Sequence, residues 1–241
     1  MSDYNNIKEM HREVFSMLDS CKVGGALNVA ENMSLAVKLP HHRDNVRQIR
    51  ETYRYMVHYL IEGVADAGRD ALYADISEQI RTIADASLRE AKAIDSPDLY
   101  SSTLRLVRHK KFNLKGLITD YNALGSEMCL AEAAGSDLSE YRHRRESALQ
   151  DIFSSILVSY GAKDDYRSLV EFLSDGNADR MLAAQVVSAM TLSLIVLFDG
   201  PKLESLIELY NHYDSVCDEK MAARTLAGII FALYSSPRRV T

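Results

Sequence analysis

Apolar residues recur at intervals of three or four positions along almost the whole chain, which is the spacing of one face of an α-helix. The clearest stripe begins at Leu138, passes through Ile152 and Ile156, and ends at Tyr160, just before Gly161. No run of residues alternates between apolar and polar over a length that would predict a β-sheet. The pattern therefore predicts an all-α protein of about eleven helices joined by short turns.

Helix-breaking and helix-capping residues divide this pattern into segments. Gly24-Gly25 predicts a turn between the first two helices. Asn113 predicts the cap of the sixth helix, and Asp137 with Glu140 predicts a capping box at the start of the seventh. The remaining helices are predicted at about 42–63, 69–93, 96–109, 165–174, 178–198, 201–212 and 217–234.

The last third of the chain nearly repeats itself. Residues 168–173 are SLVEFL and residues 205–210 are SLIELY, an offset of 205 − 168 = 37. Residues 183–190 are AAQVVSAM and residues 222–229 are AARTLAGI, an offset of 222 − 183 = 39. A short helix followed by a longer one, recurring at such a period, predicts a stacked helical repeat.

These pairs resemble HEAT-like repeats, because a first helix with a Leu-x-x-Leu/Tyr core precedes a second that begins with Ala-Ala. The N-terminal hairpin resembles a tetratricopeptide repeat, with Leu18 and Gly24 placed before Ala26-Leu27 and Ala30. The resemblance implies one helical-repeat domain over 1–241, with a tetratricopeptide-like part at 1–110 and a HEAT-like part at 111–241. It also implies antiparallel helix pairs stacked in a right-handed superhelix.

The charge of the chain is unevenly distributed. The net charge is −6, yet residues 1–120 carry 17 basic and 17 acidic side chains. The surplus lies mainly in 164–219, where Arg167, Arg180 and Lys202 oppose 11 acidic residues. The solvated outer face of a repeat array would account for it, and so would an acidic surface that attracts a basic partner. The overall charge argues against non-specific binding of nucleic acid.

The sequence carries no motif of catalysis, metal binding or cofactor binding. Its three cysteines lie far apart without a CxxC, so we expect reduced thiols, no zinc site and a cytoplasmic protein. The most apolar stretch, 183–198, has 16 residues and contains polar ones, which is too short for a membrane span. We expect no catalytic residues, no metal and no cofactor.

Two groups of side chains are candidates for partner binding. The first is an aromatic row at the end of the third helix, and the second is a set of bases near the fifth, sixth and seventh helices, which antiparallel helices would gather into one patch. Core residues and solvated helix ends would explain the same residues. The members are Tyr53, Tyr55 and Tyr59 in the row, and Arg105, Arg108, Lys110, Lys111, Lys115, Arg142, Arg144 and Arg145 in the basic set.

The last helix has the composition of an interior repeat, although a terminal repeat usually presents a polar face. Its apolar residues predict a surface that packs on further repeats or on a second copy, so that the chain would be an N-terminal fragment of a longer solenoid or would self-associate. The residues of this predicted surface are Ile229, Ile230, Phe231, Leu233 and Tyr234.

The sequence thus favours a non-catalytic helical-repeat scaffold that binds a protein or peptide through its concave surface. One alternative is an all-helical enzyme whose pocket is not visible in the sequence. Another is binding of nucleic acid or an anionic ligand through the bases at 105–115 and 142–145.

Overall fold

The computed structural model describes residues 4–39, 41–63, 67–95, 98–110, 113–175 and 179–239. Within these ranges the chain forms eleven α-helices and no β-strand, so the predicted all-α class is confirmed. A short 3-10 helix, Pro237–Arg239, follows the last of them. The helices are α1 (Tyr4–Asp19), α2 (Val23–Ala36), α3 (His41–Ile61), α4 (Arg69–Asp95), α5 (Leu99–Lys110), α6 (Leu114–Ala133), α7 (Ser139–Val158), α8 (Lys163–Ser174), α9 (Arg180–Val196), α10 (Gly200–Ser215) and α11 (Glu219–Ser235).

The chain divides into two compact units, Met1–Ser101 and Ser102–Thr241. In the first unit α2 packs on α1, α3 and α4, and α4 also packs on α1 and α3. Its apolar core includes Ile7, Leu27 and Ile80. The tetratricopeptide-like and HEAT-like parts, and the right-handed superhelix, stay predictions.

The second unit is built as two layers of helices. α7, α9 and α11 pack side by side in one layer, while α8 packs closely on α10 in the other and touches α6 only weakly. α6 packs on α7, and α10 packs on α11, which joins the layers. The core between them is apolar and includes Ile152, Leu182 and Leu206.

The sequence repeat corresponds to a repeat of helix starts. The N-cap residues of α8 and α10 are Ala162 and Asp199, which are 199 − 162 = 37 positions apart. Those of α9 and α11 are Asp179 and Asp218, which are 218 − 179 = 39 positions apart. These equal the two offsets found in the sequence, so the similar segments lie at equivalent positions of their helices.

Two predicted boundaries are wrong. Gly24 and Gly25 lie inside the first turn of α2, and the turn before it centres on Cys21, whose φ is +57°. A Cβ on Gly25 would lie 3.1 Å from Sδ of Met17, so this glycine makes room for close packing rather than for a turn.

The expected capping box at α7 is also absent, because the N-cap is Leu138 and Asp137 instead accepts from the backbone N–H of Ser139 at 3.0 Å. The predicted cap Asn113 is confirmed, since its side chain accepts from the N–H of Gly116. The predicted helix start at 96–97 lies outside the described residues.

Candidate binding groove

A surface groove with a volume of about 370 Å³ lies between α6 and α8, where the two helices only weakly touch. Leu114, Ile118 and Leu169 are buried at its floor, and Phe172 is half-buried beside them. On α8 and at the residue that follows it, the lining residues come at 165, 168, 169, 171, 172 and 175, which is one side of a helix. The groove therefore runs about 15 Å along this side, given the helical rise of about 1.5 Å per residue, and its apolar floor lies between the two ends at Asp165 and Asp175.

The two walls of the groove differ in charge. Asp165, Glu171 and Asp175 line it from α8 and from the residue that follows this helix, and all three are exposed. Lys115 lines it from α6 and is also exposed. Three carboxylates against one ammonium group give the groove a net negative charge at neutral pH.

The predicted aromatic row is divided by the fold. Tyr53 is half-buried and packs against the core of the first unit, whereas Tyr55 and Tyr59 are 65% and 51% exposed. Tyr55 and Tyr59 share one side of α3, as their spacing predicts. Tyr53 is thus partly covered by its own unit, and contact of the three tyrosines with a partner stays a prediction.

The predicted basic set is not gathered into one patch. Arg144 pairs with Glu127 of α6 at 3.6 Å. Lys115 lies 12 residues before Glu127 on the same helix, roughly 18 Å away along its axis. Lys115 therefore lines the α6–α8 groove, apart from the bases of α7.

The other bases of this set have separate locations. Arg142 and Arg145 line a smaller pocket of about 160 Å³ that Tyr121 also lines. Arg105 and Arg108 are exposed on α5, while Lys111 and the side chain of Lys110 lie outside the described residues.

Arg145 is held in a network that joins three helices. Its guanidinium lies over the ring of Tyr121, 4.6 Å from the ring centre, and forms an ion pair with Asp179. Asp179 caps α9 by accepting from the N–H of Met181 at 2.7 Å, and it accepts from the Tyr121 hydroxyl at 2.9 Å. Arg145 is thus engaged by partners within the second unit. This weakens its predicted role in binding a partner.

The same network shifts the acidity of its members. Burial of Asp179 opposes its ionisation, but the hydrogen bonds from Met181 and Tyr121 and the charge of Arg145 outweigh that effect and lower its pKa. Burial and then the hydrogen bond to Asp179 raise the pKa of Tyr121 to about 12. Asp179 is therefore a carboxylate and Tyr121 a neutral phenol throughout the physiological pH range.

A buried lysine forms a second network that the sequence analysis missed. Lys202 is 0% exposed, and its ammonium donates to the carbonyl oxygens of Ile156 and Ser159 and to the hydroxyl of Ser193 at 2.6–3.1 Å. The carboxylate of Asp199 lies 3.9 Å from the same nitrogen. With its donors engaged and no exposure to solvent, Lys202 stabilises the structure rather than forming a reactive site.

Asp199 extends this second network to the start of α8. Its carboxylate accepts from the backbone N–H of Gly161 and from the hydroxyl of Tyr166, at 3.0 and 2.9 Å. Burial and then the charge of Asp199 raise the pKa of Tyr166. The sequence does indicate that Lys202 is buried, because Lys202 precedes Leu206 and Leu209 at the spacing of one helix face.

The residues of the predicted surface of α11 differ in exposure. Ile230, Phe231 and Tyr234 are exposed, whereas Ile229 and Leu233 are half-buried and pack on the core of the second unit. The role of these five residues in packing on a partner stays a prediction.

Other chemistry is limited among the residues that the structure describes. Cys21, Cys129 and Cys217 are free and exposed. The described residues contain no cluster of three or more metal-ligating side chains. No helix in the described ranges is long and apolar enough to cross a bilayer.

Comparison with protein families, with curated proteins and with solved structures finds no match to this chain.

Proposed function

We propose that the second unit is a HEAT-like helical-repeat module that binds a basic, partly apolar peptide segment of another protein in the α6–α8 groove. The observation that carries the proposal is the apolar floor of that groove beneath an acidic wall. A peptide whose apolar side chains cover the floor and whose Lys or Arg residues face Asp165, Glu171 and Asp175 satisfies both features.

The charge of the surrounding surface supports a basic ligand. Two of the three cations in the acidic segment 164–219 are each matched by an acid of the same segment: Lys202 and Asp199 are both buried, and Arg180 pairs with Asp218 at 2.7 Å. Arg167 is the one cation of the segment that is left to oppose its other acidic residues, so the field near the groove is negative, which favours fast association with a cationic segment. The free, exposed cysteines support the expectation of a reducing, cytoplasmic environment.

The dimensions of the groove limit the ligand. A groove about 15 Å long accommodates roughly four to five extended residues or about three turns of a helix. A contact of this size is small for a protein interface, so we expect micromolar affinity and a strong dependence on salt.

Selection from a displayed library of random 16-residue peptides tests the proposal. Peptides enriched on the full chain should combine Lys or Arg with Leu, Phe or Met. The double variant Asp165→Lys with Glu171→Lys should bind them at least about tenfold more weakly, because each exposed ion pair contributes up to about 1 kcal/mol and its reversal adds repulsion.

Two control variants make the result specific to the groove. Glu208→Lys with Asp214→Lys changes net charge equally at exposed positions of α10 that do not line the groove, and should leave binding nearly unchanged. Lys115→Glu should strengthen binding, since it removes the cation from the other wall. Enriched peptides without basic residues, or an equal loss in the α10 variant, would contradict the proposal.

A further inference from the structure

One side of α11 is an uninterrupted apolar stripe that faces away from the rest of the unit. We call it the α11 stripe; its residues are Ala223, Leu226, Ala227, Ile230, Phe231 and Tyr234, all exposed. At 100° per residue they lie opposite the buried face of the helix, which carries Met221, Thr225, Gly228 and Ala232. Contiguous apolar surface of this extent marks an interaction site.

Side-chain size changes along the α11 stripe. Its N-terminal half holds the small residues Ala223 and Ala227, and its C-terminal half holds Ile230, Phe231 and Tyr234, which are 56%, 55% and 86% exposed. A copy of the same stripe laid antiparallel would place large side chains over small ones at both ends. A parallel copy would place the aromatic rings against each other and leave a gap at the alanines.

Charged residues flank the stripe at both ends. Glu219 and Lys220 lie at the N-terminal end of α11, where Asp218 is already paired with Arg180. Arg238 and Arg239 follow its C-terminal end. In an antiparallel pair whose two-fold axis passes near residue 229, midway between Glu219 and Arg239, Glu219 of each copy lies near the two arginines of the other. The helix dipoles also oppose each other favourably in that arrangement.

We propose that the α11 stripe binds the α11 stripe of a second copy of this chain, antiparallel and about a two-fold axis, as an isologous dimer contact. In this register Ala227 of one copy lies against Phe231 of its partner. The stripe offers roughly 450 Å² of large apolar side-chain surface per chain, taking about 200 Å² for each such side chain when fully exposed. Two copies bury at most about 900 Å² of this surface, below the roughly 1,000 Å² of a specific interface, so we expect a weak, reversible dimer.

Sedimentation velocity of the full chain between about 1 and 200 µM tests this dimer. We expect a reversible monomer–dimer equilibrium. Ile230→Glu, and separately Phe231→Glu, should weaken the dimer at least tenfold, since each introduces a charge into an apolar contact. Leu130→Glu is the matched control, because Leu130 is 73% exposed on α6 and lies outside the stripe.

Cysteine cross-linking tests the orientation. In a chain whose native cysteines are replaced by Ser, Ala223→Cys mixed with Tyr234→Cys should form a mixed disulfide on oxidation, whereas neither variant should link to itself. Identical positions would lie about 15–18 Å apart along the axis, beyond the reach of a disulfide.

Three outcomes would overturn the proposal. The first is a chain that stays monomeric over the whole concentration range. The second is a weakening of the dimer by Leu130→Glu equal to that by the stripe variants. The third is that disulfides between two copies of the same cysteine variant are the main product.

Discussion

Asp179 connects three helices of the second unit through one carboxylate. It caps α9, pairs with Arg145 of α7 and accepts from Tyr121 of α6, so one carboxylate fixes three helices. Asp218 repeats part of this arrangement one period later, capping α11 and pairing with Arg180. A recurring Asp cap with an Arg from the preceding helix of the same layer is the residue-level form of the repeat.

Replacing Asp179 by Asn tests the contribution of its negative charge, which pairs with Arg145. Asn is as good a helix cap as Asp, so the variant removes the charge and retains the cap. We expect the free energy of unfolding at pH 7 to fall by about 1–2 kcal/mol, the usual contribution of a charge-assisted hydrogen bond.

The pH dependence of this loss follows from the pKa of Asp179, which folding lowers from 3.8. The contribution of the carboxylate is fully present above the unfolded pKa and is lost as pH falls through the folded pKa. Urea unfolding from pH 2 to pH 7 should therefore show the two proteins converging below about pH 4. Asp214→Asn, at an exposed site of α10, serves as control; a constant difference at all pH values would refute the ionic role.

Among the helices, Lys202 at the start of α10 is hydrogen-bonded both to the C-terminal end of α7 and to α9. It accompanies Leu203 and Leu206 into the core, and its ammonium meets the last carbonyl groups of α7 and the hydroxyl of Ser193 on α9. Oxygens left without hydrogen bonds at a buried helix end are costly, so the lysine acts as a cap supplied by another helix.

Lys202→Met retains the aliphatic length of this side chain and removes its three hydrogen bonds. We expect a loss of about 3 kcal/mol in the free energy of unfolding, because buried oxygen acceptors lose their donor. Chemical denaturation at pH 7 measures it. Lys163→Met is the matched control at an exposed position of α8, expected within about 0.5 kcal/mol of the wild type. Equal stability of the two variants would show that the network contributes nothing.

Elements were more predictable from the sequence than their contacts. The offsets of 37 and 39 place the starts of α8 to α11, because a repeated apolar pattern and its caps are local properties. The turn predicted at Gly24 and Gly25 is wrong, because these glycines allow close packing of α2 on its neighbours. Such packing is a tertiary property, and in the sequence a Gly-Gly pair that serves it looks the same as one in a turn. The groove also depends on the separation of α6 from α8, which no local pattern encodes.

At the scale of the whole molecule, the second unit offers two surfaces of different chemistry. The α6–α8 groove is acidic over an apolar floor, and the α11 stripe is uncharged along its length. Salt should therefore weaken binding in the groove more than self-association through α11, because screening acts on charges, and in the dimer these lie only beyond the ends of the apolar stripe. Comparing both equilibria at about 50 and 500 mM NaCl separates the two.

Amide hydrogen–deuterium exchange of the full chain, with and without a basic peptide enriched by the selection, locates the bound peptide. We expect slower exchange on peptide binding at 114–122 of α6 and at 165–175, in and just after α8, with α3 and α11 unchanged. Protection centred on Tyr55 and Tyr59, or on the α11 stripe, with α6 and α8 unaffected, would show that the groove is not the binding site.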